Sequence, residues 1–168
     1  LATHFSFASI SFYEDVLHAW RKSQYPEAPE KCEELLELMH QLSCGVNLPF
    51  CKPDCYAISV LLQCWAESKR EDASKQAEVV FRKMKALFLG GDPDMRPDCI
   101  SYSLVLNCFA QDSKYKEAEA LLWEMVQDFL QGNAAAAPRT RKSPIAKTEC
   151  PAYHFGNHFQ ATSIQSWQ

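Results

Sequence analysis

The sequence predicts an all-α protein in which helical hairpins stack side by side into an α-solenoid. Three observations predict it. One phrase occurs twice, as KPDCYAISVLLQCWAESK (52–69) and RPDCISYSLVLNCFAQDSK (96–114). A second phrase follows each copy, and both phrases carry apolar residues at i, i+3, i+4 and i+7, the period of a helix with one buried face. A fixed repeat of roughly 40 residues is the signature of stacked supersecondary units, none of which can bury its apolar surface alone.

Taken in order, the first unit is the weakest copy. Trp20 answers Trp65, Leu17 answers Leu62 and Tyr13 answers Ile58, a register of 45; its second helix is PEKCEELLELM, ending at Met39. The second unit begins at Pro53-Asp54. Pro53 stops the preceding chain and Asp54 can cap the next helix by accepting its free N–H groups. Ile58, Leu61, Leu62 and Trp65 form the apolar face, and SKQAEVVFRKM, ending at Met84, supplies the partner helix. The third unit repeats this at a register of 44: Pro97-Asp98, then Tyr102, Val105, Leu106 and Phe109, then YKEAEALLWEM to Met125. Glu33, Glu78 and Glu119 hold a common place in the second helices. The resulting division is a remnant at 1–9, repeats at 10–52, 53–96 and 97–131, a linker at 132–150, and the possible start of a fourth repeat at 151–168. The last helix is expected to continue to about Leu130.

The bulk numbers agree with a globular chain: 168 residues, 47% hydrophobic and 23% charged. No apolar run is long enough to span a bilayer, so no membrane partner is expected. A net charge of −4 does not advertise a nucleic-acid binder. The chain opens Leu-Ala-Thr, as expected of a fragment or a processed product, so the lack of a visible targeting segment carries no weight.

Eight cysteines suggest a disulfide or zinc framework until the register is applied. Cys55 and Cys99 share one repeat position; Cys64 and Cys108 share another, which is Ala19 in the first copy. Cys32 aligns with Ala77 and Ala118. These read as small buried side chains. Cys44, Cys51 and Cys150 lack that explanation. His40, Cys44, Cys51 and Cys55 have a spacing that invites zinc, but Cys55 is in register with Cys99, which has no such neighbours. Zinc is therefore set aside, and no cofactor is implied. No Gly-rich phosphate loop, nucleophile elbow or metal-protease motif is present, so an enzyme is not expected.

RPDCISYSLVLNCFAQDSKYKEAEALLWEM (96–125) resembles a pentatricopeptide repeat almost element by element. It has the opening Pro-Asp, an aromatic, a small polar residue, an aliphatic run ending in an amide, a later aromatic, and a second helix of the type Glu-Ala-Glu-x-Leu-x-x-x-Met. The 52–84 stretch is similar, with Ile58 in place of the tyrosine, and SISFYEDVLHAWRKS with its second helix is a looser match. The resemblance covers roughly residues 10–131. Tetratricopeptide repeats are the nearest rival, but no copy has the glycine their first helix requires.

The resemblance implies a right-handed superhelix that binds single-stranded RNA, one repeat per base, in mitochondria or plastids. Two side chains per repeat would read the base edge, which a single strand leaves accessible. They map here to Glu14 with Asp54, Ser59 with Asp98, and Ser103 with an undefined partner; Ser with Asp is the family's guanine-preferring pair. Tyr56 and Ile100 map to the residues that flank the base, with Ser11 a poor match. Lys22 maps to a phosphate contact, where the other copies have Glu67 and Gln111. Lys52 and Arg96, just before each Pro-Asp, are expected to add charge. The other class of function is a protein-interaction scaffold on the same stack. An RNA binder should gather Lys22, Lys52 and Arg96 along the line of Ser59 and Ser103; a scaffold should show an apolar or acidic groove. The segment 132–149 carries the only basic cluster, Arg139, Arg141, Lys142 and Lys147, in a spacer.

Overall fold

A computed structural model describes residues 5–45 and 51–135, with the side chains of 12–43 and 51–135. The described residues form six α-helices: α1 (Phe5–Ser23), α2 (Ala28–Gly45), α3 (Cys55–Ser68), α4 (Ala73–Leu89), α5 (Cys99–Gln111) and α6 (Tyr115–Leu130). A 3-10 turn, Pro93–Met95, precedes α5. The helices pair as three hairpins. The first helices α1, α3 and α5 lie side by side, and each second helix packs on its own first helix, with α2 and α4 also touching the next one. This is the all-α hairpin stack that the repeat predicts. The remnant drawn at 1–9 is partly helical, since α1 begins at Phe5. The candidate fourth repeat, 151–168, lies outside the described residues.

Local chemistry explains the boundaries. Asp54 and Asp98 sit in extended backbone and accept the first free amides, Ala57 N at 3.0 Å and Ser101 N at 2.9 Å. At Asp98 the cap is reciprocal: Ser101 Oγ lies 2.9 Å from the Asp98 amide and accepts its hydrogen. Each hairpin then turns over one residue in the left-handed region: Gln24, Lys69 and Ser113, with φ of 57°, 54° and 56°. None is glycine, so each turn carries a local cost.

The core follows the register. Trp65 and Phe109 are both 2% exposed, and Cys64 and Cys108 lie beside them, equally buried. Leu17 and Leu62 are fully buried, as are Cys32 and Ala77 at the shared second-helix position. Burial thins at α6, where Leu122 is 45% exposed although its counterpart Phe81 is fully buried.

Neighbouring hairpins are joined along both edges by cations at equivalent positions. At the turn edge, Arg70 reaches back to Glu30 and stacks over the Trp65 ring at 5.2 Å. Its counterpart Lys114 reaches back to Ser74 Oγ at 2.6 Å, in the first turn of α4 as Glu30 is in the first turn of α2. At the other edge, Lys52 reaches forward to Asp92 (2.7 Å) and Asp94 (3.5 Å). Arg96, its counterpart, donates to the carbonyls of Gly132 (2.7 Å) and Ala134 (3.0 Å). The segment 132–135, expected as spacer, is thereby held: Ala135 bonds Pro97 and Cys99 through the backbone, at 2.8 and 3.2 Å.

Candidate nucleic-acid interface

The first helices present one row each, spaced at i, i+4 and i+8: Glu14, His18 and Lys22 on α1; Ser59, Gln63 and Glu67 on α3; Ser103, Asn107 and Gln111 on α5. Four-residue spacing keeps the members of a row on one helix face. Ser103, Asn107 and Gln111 are exposed, Ser59 and Gln63 half-buried. Each serine sits about one turn after an apolar residue that stays partly open, Tyr56 on α3 and Ile100 on α5, each 41% exposed. The register therefore brings Tyr56 with Ser59, and Ile100 with Ser103, into equivalent places on adjacent helices.

Both hydroxyls are oriented alike. Ser59 Oγ donates to the Cys55 carbonyl at 2.8 Å and Ser103 Oγ to the Cys99 carbonyl at 2.7 Å. That spends the proton and leaves the oxygen's acceptor capacity facing outward. A row of serine, glutamine and asparagine can thus accept from and donate to a base edge without burying charge.

The aspartates stand differently. Asp98 is 4% exposed and Asp54 half-buried, and each carboxylate caps its helix. A carboxylate accepts more than one bond, so capping does not exhaust either. Lys52 and Arg96 are committed to the edge contacts described above. The structure does not bring them to the serine row as charges awaiting a ligand. The reason is the loop that closes each second helix: it arrives beside the residue before Pro-Asp and offers Asp92 and Asp94, or the carbonyls of Gly132 and Ala134. Lys22 is exposed at the end of the α1 row.

Two contacts tie α1 to α3. Arg21 Nη1 donates to Glu67 at 2.8 Å, and Gln63 Nε2 to the same carboxylate at 2.9 Å. His18 Nε2 lies 2.9 Å from Tyr56 Oη, their rings edge to face with centroids 6.0 Å apart. Burial, then Arg21 and Lys22, lower the His18 pKa, which favours the neutral ring. Glu14 and Glu67 balance Lys22 and Arg21, and the face is polar without being basic.

The side chains missed by sequence reasoning are Arg21, His18 and Gln63. Helical spacing from Glu14 and Ser59 could have found the last two.

In the comparison with known families, the PPR repeat model matches residues 100–128, the span from the second residue of α5 almost to the end of α6. No curated protein and no solved structure matches the chain. The α5–α6 hairpin is thus the part of the chain similar to a PPR repeat, and the two hairpins before it share its register.

Proposed function

We propose that this hairpin stack binds single-stranded RNA sequence-specifically along the first helices and serves RNA processing or stability in mitochondria or plastids. It acts by holding a strand and not by catalysis. The observation that carries this reading is the pair of equivalent stations, Tyr56 with Ser59 and Ile100 with Ser103. Each couples an open apolar surface, on which a base can lie, to a hydroxyl one turn away that meets its edge. The base-reading pairs are Ser59 with Asp98 and Glu14 with Asp54, with Ser103 reading beside a partner still to be assigned. Lys22 is the phosphate contact. Lys52 and Arg96 contribute by holding the hairpins at a fixed spacing, which sets the distance between stations.

A specific observation favours a second reading, a helical-repeat scaffold for protein partners: the face carries as many carboxylates as cations. Affinity for RNA leans on phosphate neutralisation, and this face supplies little of it. Selection from randomised single-stranded RNA at low salt separates the two. Enrichment of a motif, lost in Ser59→Ala and Ser103→Ala, supports RNA recognition. No enrichment over a protein-free control sinks it in favour of the scaffold.

A further inference from the structure

The two joints of the stack are closed differently on the side of the second helices. Between α4 and α6 the joint is filled. Tyr102, fully buried, packs edge-on against Phe81 with centroids 4.7 Å apart and donates its hydroxyl to Asp128. Lys85 bridges Asp128 and Glu124, and Arg82 closes on Glu124. Between α2 and α4 the equivalent of Tyr102 is Ile58, which is shorter and has no hydroxyl. Leu87 stands on α4 where α6 has an aspartate at the matching turn. A groove of about 760 Å³ remains. Its floor is apolar, made by Leu36, Ile58, Leu61, Val80, Met84 and Met95. Its α2 rim carries Glu33, Glu34 and Glu37; opposite them stands Lys83, and His40 lies at one end. The rim thus carries three carboxylates, of which Glu34 is paired with Lys31 at 2.7 Å, and the floor is of a size to take several side chains.

We infer that this groove docks the chain's own segment Arg139–Lys147, RTRKSPIAK, with Ile145 and Pro144 on the apolar floor and the basic residues against the α2 carboxylates. Two observations select this occupant. The charges match: Arg139, Arg141, Lys142 and Lys147 are the basic cluster of a chain otherwise acidic, and the groove rim carries three carboxylates. The path is short as well. Ala135 is bonded to Pro97, two residues from Met95 in the groove floor. Arg139 follows four residues later, a reach of roughly 13 Å, and the segment to Lys147 extends on the order of 30 Å beyond it. The attraction between partly exposed charges weakens with salt, whereas the apolar contact does not.

The test uses the full chain carrying Ile145→p-benzoylphenylalanine, whose benzophenone inserts readily into methionine C–H bonds. Irradiation at low salt is expected to give crosslinks within one molecule to Met84 or Met95. Their yield should drop about five-fold or more at high salt, and likewise in Glu34→Lys/Glu37→Lys. Both glutamates are exposed, so the variant should fold, which circular dichroism checks; Arg141→Glu/Lys142→Glu reverses the pairing from the other side. Crosslinks mapping elsewhere, or none, overturn the proposal. So do crosslinks found only between molecules, which would make the occupant a second copy, and a groove yield indifferent to both charge reversals.

Discussion

Asp128→Ala removes an acceptor from a site where every neighbour is committed. Asp128 is 6% exposed, and its carboxylate takes the Tyr102 hydroxyl and the Lys85 ammonium. Lys85 retains Glu124; Tyr102, fully buried, has no replacement acceptor among its described partners. Leaving a buried hydroxyl unsatisfied costs about 1–3 kcal/mol. Adding the weakened Lys85 contact gives an expected loss of roughly 2–3 kcal/mol. With m about 2 kcal/mol/M in urea, the midpoint falls by roughly 1 M. Tyr102→Phe removes the donor instead and should cost about 1 kcal/mol. The decisive measurement is the double variant, followed by circular dichroism in urea. With neither group present nothing is orphaned, so the two losses should fall short of additivity by about 1 kcal/mol or more. Additivity to within about 0.5 kcal/mol would refute the claim that Asp128 acts through Tyr102.

Other outcomes follow from the same geometry. The pKa of Asp128 and of Glu124 is lowered: burial opposes ionisation, but hydrogen bonds from Lys85 outweigh it, joined by Tyr102 at Asp128 and Arg82 at Glu124. A depressed folded pKa gives stability that is present above the unfolded carboxylate range and lost as pH falls through the folded value. Urea midpoints should thus fall from about pH 5 downward, with a shallower slope in Asp128→Asn. Lys69→Gly, relieving a left-handed φ of 54°, should stabilise by a few tenths to about 1 kcal/mol, read as a rise in melting temperature; a fall would mean that the Lys69 side chain matters more than its backbone. If RNA binds, Lys22→Gln should reduce the salt slope of binding by about 0.7, whereas Arg96→Gln should leave it unchanged and instead speed amide exchange at Cys99 and Ala135. Ser59→Ala should shift stability by under about 0.5 kcal/mol while relaxing base preference at one position of a selected motif.

The register made the helices and most of the core legible, because apolar spacing and a Pro-Asp start each act within a few residues. Trp65 and Phe109 share a register position, and both are buried there. Ser59 and Ser103 share a register position, and each donates to the carbonyl four residues back. What escaped depends on distance. Nothing local to Lys52 or Arg96 tells that a loop some 40 residues on returns beside each of them. Asp128 has nothing local to single it out, and its role comes from the α5 tyrosine whose hydroxyl it accepts. The edge contacts of Arg70 and Lys114 lie close to the register, since the two cations repeat at 44 and each acceptor sits in the first turn of the preceding second helix.

A strand drawn taut along the first helices would not bend this rod evenly. Tyr102 and its ionic partners close the α4–α6 joint, while the α2–α4 joint keeps a groove and is held on its other sides by Arg21, His18 and Arg70. Flexing between Ser59 and Ser103 has to break a buried network, and flexing between Glu14 and Ser59 has to break exposed contacts.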